Sequence, residues 1–600
     1  MVSMRLLMNS LRKRKLLVAI QVVVLFLIFS HSFGTDYLIP YNSNTEYASS
    51  AARVQPMQLP DPVAKKTLIG NVLRAALDAK PSPFKLDRDA LKTSSCPKKG
   101  DVSSGGIDQF HWTSAKNLKA CLNLDDYAIK TLSEAHSRYM KTLFNDKGEF
   151  AISKSDFKKL YPNEKGIVTL GGGRYTILSM LMIETVRRHG STLPIEVMFP
   201  PEDEGEFDFC NNWLPKHNGR CVMMSQEVPF EILQKDKEVR FKSYQIKSLA
   251  LLLTSFKQFV FIDADNNAMK NIDHIFDTEA FKTHGLILWP DLWKRFTNPG
   301  FYDIAGVKYD LGKRVRNVND DASPPETYDP NHSIYTTHDL KQREEIAKHL
   351  YEDVSLADLD GTIADTTTES GQMMVDNKKH LSTLLLALYY NIYGPDLYYY
   401  MMSMGTAGEG DKETFISAAH VLHLPYYQVK TNIGFDGYVN DVDNQFKGVG
   451  LMQTDFEQDY QRHKQVLKEL ATEKPLEPVR YQLPNHFQDK MKNPDGTSLD
   501  IMFLHASFHK FDPADLAKSK QYFKQNGEQV RGYNRIDAYK NFDFELFSFK
   551  KLYDNLCTSD HISFKSLKKH EGTEFWTSMC SYFKQRVDFL TKTKPANAFI

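Results

Sequence analysis

The stretch that most limits what this chain can become is Phe259-Val260-Phe261-Ile262, four apolar residues that run straight into Asp263-Ala264-Asp265. Such a run reads as a short buried strand. In an open α/β sheet, ligands bind beyond the carboxyl ends of the strands. Two carboxylates at that place are hard oxygen donors for Mg²⁺ or Mn²⁺, ions commonly shared with substrate phosphates. The alternative is a strand that merely stops at two solvated acids. Asp-x-Asp recurs at Asp358-Leu359-Asp360 and Asp441-Val442-Asp443, and only the first copy follows a clear apolar strand. That context favours a metal-bridged diphosphate site.

The flanking sequence supports an α/β body. Gly166 to Leu170 reads as a strand, Gly171-Gly172-Gly173-Arg174-Tyr175 as a tight loop, Ile177 to Arg188 as a helix and Pro194 to Phe199 as a second strand. A β–loop–α–β unit of this kind builds a parallel sheet. The glycines let backbone N–H groups approach a phosphate at a helix N-terminus; a ligand-free turn is the competing reading. The loop lacks the Gly-x-Gly-x-x-Gly fingerprint, so a nicotinamide cofactor is not supported. Arg240 to Leu253 reads as a helix feeding the Phe259 strand, with Tyr244 and Lys247 three apart and able to share a face. Gly285 to Asp291 reads as another strand, and Lys294 to His349 as a long, charged surface insertion. Asp358 to Thr366 looks like a phosphatase nucleophile motif, but the polar residues before it cannot supply the buried strand which that chemistry needs. Glu369-Ser370-Gly371-Gln372 precedes a helix over 378–393, where it either binds sugar hydroxyls or caps the helix. Gly408 to Phe415 places Glu409, Asp411 and Glu413 on a glycine-rich entry to a helix, as a sugar clamp or as acids favoured by the helix dipole. Ile501 to Leu504 is a further apolar strand, ending on His505, with Lys510 five residues on.

The N-terminus indicates a compartment. Arg12-Lys13-Arg14-Lys15 precedes an apolar run from Leu16 to Phe33, near the lower length for a spanning helix of about 17 residues. Positive charge before it keeps that side cytosolic. A cleaved signal peptide is the rival, although its apolar core usually has only about 7–15 residues. The expected layout is a cytosolic tail over 1–15, an anchor over 16–33, a stem with lead-in helices over 34–150 and a lumenal body over 151–600. Helix is expected near Ala64 to Leu77 and Asp125 to Leu143. Six cysteines suit an oxidising lumen, with Cys210–Cys221 the simplest local pair, and Asn331-His332-Ser333 is a glycosylation sequon. With 75 basic and 75 acidic residues, no global field recruits nucleic acid.

Taken in order, Gly171 to Tyr175, Phe261 to Asn266, Leu288 to Asp291, Glu369 to Gln372, Gly408 to Phe415 and His505 to Phe508 resemble the fungal Golgi α-mannosyltransferases of N-linked mannan outer chains, most nearly the α-1,2 branching enzymes. The resemblance covers most of Gly166 to Asp512. It implies a GT-A-like fold, that is, a Rossmann-like mixed sheet flanked by helices, in a type II Golgi membrane glycoprotein. It implies GDP-mannose as donor, a mannan or N-glycan acceptor, retention of configuration, and Mn²⁺ as cofactor with Mg²⁺ as substitute. On that reading Asp263, Asp265 and His505 hold the metal, and Asp265, Glu369 and Asp411 lie at the catalytic centre. Gly172, Arg174, Tyr244, Lys247, Asp291, Gln372, Glu409 and Lys510 then contact substrate, with Lys510 resembling the His-then-Lys arrangement of other retaining GT-A enzymes. An α-1,3-transferase, or a non-catalytic subunit working with other mannosyltransferases, is the alternative.

Overall fold

The computed structural model describes residues 57–82, 85–86, 113–237, 239, 241–323, 354–406, 408–440, 444–472, 485–524 and 526–600. The anchor and tail over 1–33, most of the stem, Cys96, the sequon at Asn331 and the Asp441–Asp443 pair lie outside the described residues. Among the described residues no helix is long and apolar enough to cross a membrane.

Two lead-in helices come first. In α1 (Pro62–Asp78) the Asp61 carboxylate accepts from the Val63 and Ala64 N–H groups, and proline stands at the first turn. In α2 (Asp126–Leu143) Asp125 caps in the same way through Ala128. Both are built into the body. Ile69, Val72, Leu73 and Ala76 of α1 are buried, and the Tyr389 and Tyr393 hydroxyls donate to the Ala79 and Ala76 carbonyls. The ammonium of Lys65 donates to the Leu252 and Thr254 carbonyls at 3.0 and 2.8 Å. Residues 57–600 form one compact unit.

The main sheet follows. Its first half is β1 (Asn163–Leu170), α3 (Tyr175–Arg188), β2 (Ile195–Phe199), β3 (Gly219–Met223), α4 (Gln245–Leu253) and β4 (Phe256–Ile262). The chain continues through β5 (Asn266–Ala268), β6 (Leu286–Pro290), β7 (Asp310–Arg314), β8 (Leu359–Asp360), β9 (Thr368–Asp376), α5 (Asn377–Ile392), α6 (Lys412–Val421) and β10 (Tyr427–Gln428). It ends with β11 (Gly434–Asn440), β12 (Gln445–Thr454), β13 (Ile501–His505), α7 (Phe544–Leu556) and α8 (Glu574–Lys592). Among the described residues the strand order of the large sheet is β10-β6-β9-β4-β1-β2-β3. β4, β1, β2 and β3 run parallel, while β9 is antiparallel to both β4 and β6. An antiparallel sheet, β11-β12-β13-β5, adjoins the Asp-rich end of β4. The β–loop–α–β expectation over 166–199 is met. β4 is buried along Phe259–Ile262, as its unbroken apolar run requires.

Three expectations are corrected, and the motif already set aside, Asp358 to Thr366, proves structural at its first acid. Glu369 to Gln372 do not cap a helix; they open β9, and α5 is capped by Asp376, whose carboxylate accepts from Lys378 N–H at 2.9 Å. The helix before β4 begins only at Gln245, because Ser243 adopts φ +57 and breaks the turn. The first part of the supposed surface insertion is core: Arg295, Phe296, Phe301 and Tyr302 are buried. The phosphatase-like Asp358 is a buried structural acid, 2.9 Å from Arg314 and accepting from Val318 N–H. The Cys210–Cys221 disulfide is present, a second joins Cys557 and Cys580, and Cys121 is also disulfide-bonded.

Candidate active site

Adjacent parallel strands place the two loops singled out in the sequence at one edge. Val168 pairs with Phe261, so the glycine turn after β1 and the Asp263–Asp265 turn after β4 leave the sheet side by side. Gly172 has φ +112, and a Cβ there would stand 2.7 Å from Asp203. Both facts demand glycine. The turn closes on α3 through Gly172 N–H, which donates to Thr176 Oγ1 at 3.0 Å.

Two further strands complete the site. β9 runs beside β4, and Asp263 N–H donates to the Gly371 carbonyl at 2.7 Å. This brings Glu369 and Ser370 against the acids. β13 pairs with β5 so that His505 lies opposite Asn266. The result is a buried charge network. Lys247 donates to Asp263 Oδ2 at 2.8 Å and to the Ser370 carbonyl at 3.1 Å, and its ammonium is 3.5 Å from Asp411 Oδ2. Asp265 Oδ2 is paired with Lys510 and lies 3.5 Å from His505 Nε2. On its other side His505 Nδ1 is 3.4 Å from Glu369 Oε2, and Glu369 Oε1 accepts from Gly371 N–H at 2.7 Å.

Burial alone raises a carboxyl pKa and lowers that of an amine or imidazole. Charge partners decide who wins here. Burial pushes Asp265 up, but His505 and Lys510 more than offset it and hold the carboxyl well below the usual range. Glu369 is treated likewise: burial raises it, while His505, Lys412 and the Gly371 N–H bring it to about 2. His505, flanked by both, is held well above an ordinary imidazole despite its burial. Burial, with Asp265 and Asp411 nearby, lifts Asp263 to about 6 against the pull of Lys247. Burial also raises Asp411. In Lys247 burial is outweighed by Asp263 and Asp411, so its ammonium is retained.

Most of the expected residues therefore converge: Lys247, Asp263, Asp265, Glu369, Asp411, His505 and Lys510. Gln372 lies directly beneath, fully buried and accepting from Asn266. Others stand apart. Tyr244 does not share a face with Lys247. It precedes the helix, its ring is 59% exposed, and it packs near Gly410, whereas Lys247 is 6% exposed. Arg174 is turned outward, 3.6 Å from Asp515. Asp291 is taken up by Lys412 at 2.5 Å, and Glu409 accepts from Ser403 Oγ at 3.2 Å. Sequence reasoning missed Lys412, which bridges Asp291 and Thr367 beside the cluster, and the buried Arg295–Glu413 pair. A single lysine or glutamate in a helix's first turn gives no signal of burial.

Among the described residues, no three or more His, Cys, Asp or Glu side chains are already gathered as a metal cage. Asp263, Asp265 and His505 are thus not a preformed three-ligand site. Two neighbouring carboxylates nevertheless suit an ion that takes its remaining ligands from phosphates and water. Asp263 is 25% exposed at its side chain and so is reachable. Asn266 Oδ1 and Asn267 Oδ1 are buried without hydrogen-bond partners, which suits a site completed by a polar ligand. The residues present fit such an ion.

A mixed α/β sheet with acids and cations converging at its strand ends defines a glycosyltransferase-like protein. The profile of a family described as mannosyltransferase matches residues 164–455. The chain is 41% identical over 97% of its length, and 98% of the relative's, to the α-1,2-mannosyltransferase MNN5 of Saccharomyces cerevisiae. It is 40% identical to MNN2 of the same yeast over 83% of this chain and 81% of that one. To MNN2 of Candida albicans it is 33% identical over 79% and 72%. This chain belongs to the fungal α-1,2-mannosyltransferase family. Among solved structures it aligns with the glycosyltransferase GlyE of Streptococcus pneumoniae at 11% identity, over 67% of this chain and 66% of that one, with a TM-score of 0.25.

Proposed function

We propose that the chain transfers mannose from GDP-mannose to a mannan acceptor, forming an α-1,2 linkage with retention, as a type II enzyme of the Golgi with a GT-A catalytic body. The observation that carries this reading is the buried network of Lys247, Asp263, Asp265, Glu369, His505 and Lys510 beside the glycine turn, in a chain of this family. Asp265 and Asp263, with His505 alongside, would hold Mn²⁺, which neutralises charge on a leaving diphosphate. Lys247 and Lys510 would donate charge-assisted hydrogen bonds to the same group. Each must first release an aspartate, so both ammonium groups are desolvated and oriented before the donor arrives. A cavity of about 510 Å³ opens alongside, lined in part by Pro201, Glu202, Phe241 and Ile246. Its lining includes Ile246, which directly precedes Lys247 in the chain, and we assign the nucleoside to it.

Departure of the diphosphate leaves positive charge on the sugar. Glu369, kept ionised by His505, would face that charge and stabilise it electrostatically. The acceptor hydroxyl can then add from the leaving-group side, giving its proton to the departing diphosphate.

The test is incubation of the full chain with a panel of nucleotide sugars, a mannoside acceptor and Mn²⁺. Transfer from GDP-mannose, lost on chelation and restored by Mn²⁺, is the expected result. Methylation analysis of the product separates the α-1,2 from the α-1,3 linkage. Turnover with another nucleotide sugar but none with GDP-mannose refutes the donor assignment. A tagged chain found outside the Golgi refutes the location.

A further inference from the structure

We propose that the outer half of the β11–β12 hairpin is a stacking platform for the acceptor, an α-linked oligomannoside running from the reacting end at His505 outward along β12. This rests on the transferase reading. Residues paired across neighbouring strands stand on the same face of a sheet. Asn266 pairs with His505, His505 with Leu451, and Leu451 with Phe435. Beyond the irregularity at Asp436/Gly437, the pairs Gly437–Gly448 and Val439–Phe446 continue that face, since Phe435, Gly437 and Val439 alternate along β11. One face of this sheet therefore holds the charged site at one end and two phenyl rings at the other.

The rings are uncovered. Phe435 is 38% exposed, Val439 52% and Phe446 55%. The residues between them are glycines: a Cβ on Gly448 would lie 3.6 Å from the Phe446 ring and 3.7 Å from that of Phe435, and one on Gly437 would strike Phe446 at 2.8 Å. The Phe446 ring thus lies over Gly437, which is buried against the Lys447 backbone, while Gly448 leaves the strand between the two rings without a side chain. Phe508, 53% exposed, adds a third ring nearer the site, tied down by its N–H to the Val449 carbonyl. Exposed apolar side chains gathered in one strip beside a polar site suit a binding surface. Continuity selects the occupant. At about 3.3 Å per residue, the five steps from Leu451 to Phe446 span about 16 Å, the length of a few linked hexoses. A hexopyranose presents a C–H face that stacks on such rings, and its hydroxyls remain in water.

The test compares the full-length protein with its Phe435→Ala/Phe446→Ala variant on mannose, an α-linked disaccharide and a long linear oligomannoside. The ratio of kcat/KM on the long acceptor to that on mannose should fall about tenfold, the size of a truncated aromatic anchor. Phe446→Tyr should preserve the ratio. Retention on a mannan affinity gel should weaken in parallel, a readout that needs no turnover. An inactive wild type would thus sink the transferase reading and leave the platform still measurable. An unchanged ratio and unchanged mannan retention in the folded double variant overturn the proposal. So does a variant that keeps mannan binding but loses self-association or vesicle binding, which would assign the strip to a second copy or a membrane.

Discussion

Replacing Asp265 by asparagine separates a ligand-binding role from a structural one. The carboxylate is 7% exposed and serves two cations, Lys510 and His505. Removing one partner of a buried ion pair typically costs about 3–5 kcal/mol, because it strands the other charge. Here both cations can escape. His505 owes its raised pKa to Asp265 and Glu369 and can give up its proton once Asp265 is neutral, and Lys510 is 33% exposed at its side chain and can turn to solvent. The stability loss should therefore stay at about 1 kcal/mol, a shift of a few degrees or less in a domain this large. Activity should behave otherwise. Losing one preorganised electrostatic contact to a transition state costs about 10²–10³-fold, and loss of a metal-holding carboxylate should reach or exceed that. Calorimetry with GDP supplies the second measurement. Without divalent ion, binding should hold or tighten, since Lys510 is released for the diphosphate, while enhancement by Mn²⁺ should vanish. Wild-type turnover, or unchanged Mn²⁺ enhancement in a folded variant, would refute the reasoning.

Lys247→Met strands Asp263 and Asp411 without their cation, so it should destabilise by about 3–5 kcal/mol and abolish transfer; adding Asp411→Asn should return part of the stability in a urea melt but none of the activity. His136 and His380 are buried and held neutral, each lowered by burial to about 4. As pH falls the unfolded chain takes up these protons first, so stability is complete above about 6.5 and drains away between 6.5 and 4, by up to about 3 kcal/mol per histidine. A His136→Gln/His380→Gln variant should flatten the melting temperature across that window, and an unchanged slope counts against the assignment. In the C-terminal core Arg586 pairs with Glu545 at 2.6 Å, both side chains wholly buried. Arg586→Met alone should cost about 3–5 kcal/mol, while Arg586→Met/Glu545→Leu should come closer to wild type by denaturant unfolding.

The amino-acid pattern alone determined β1, α3, β2 and β4 and the position of the acidic tip, while β3 went unread. Unbroken apolar runs such as Phe259–Ile262 bury on both faces, and the glycines at 171–173 can only be a tight turn. Local order of this kind depends on near neighbours, which a sequence displays directly. The tertiary structure decided who meets whom. β9 carries only a short apolar segment, and it is a strand because β4 and β6 hydrogen-bond it from both sides. That pairing moved Glu369 from an expected helix cap into contact with His505, 136 residues away in sequence. Burial likewise turned Lys247 and Lys412 from lysines that look solvated into paired groups. Charges lost to water must be matched by charges brought from elsewhere in the chain, and only the completed fold says where those are.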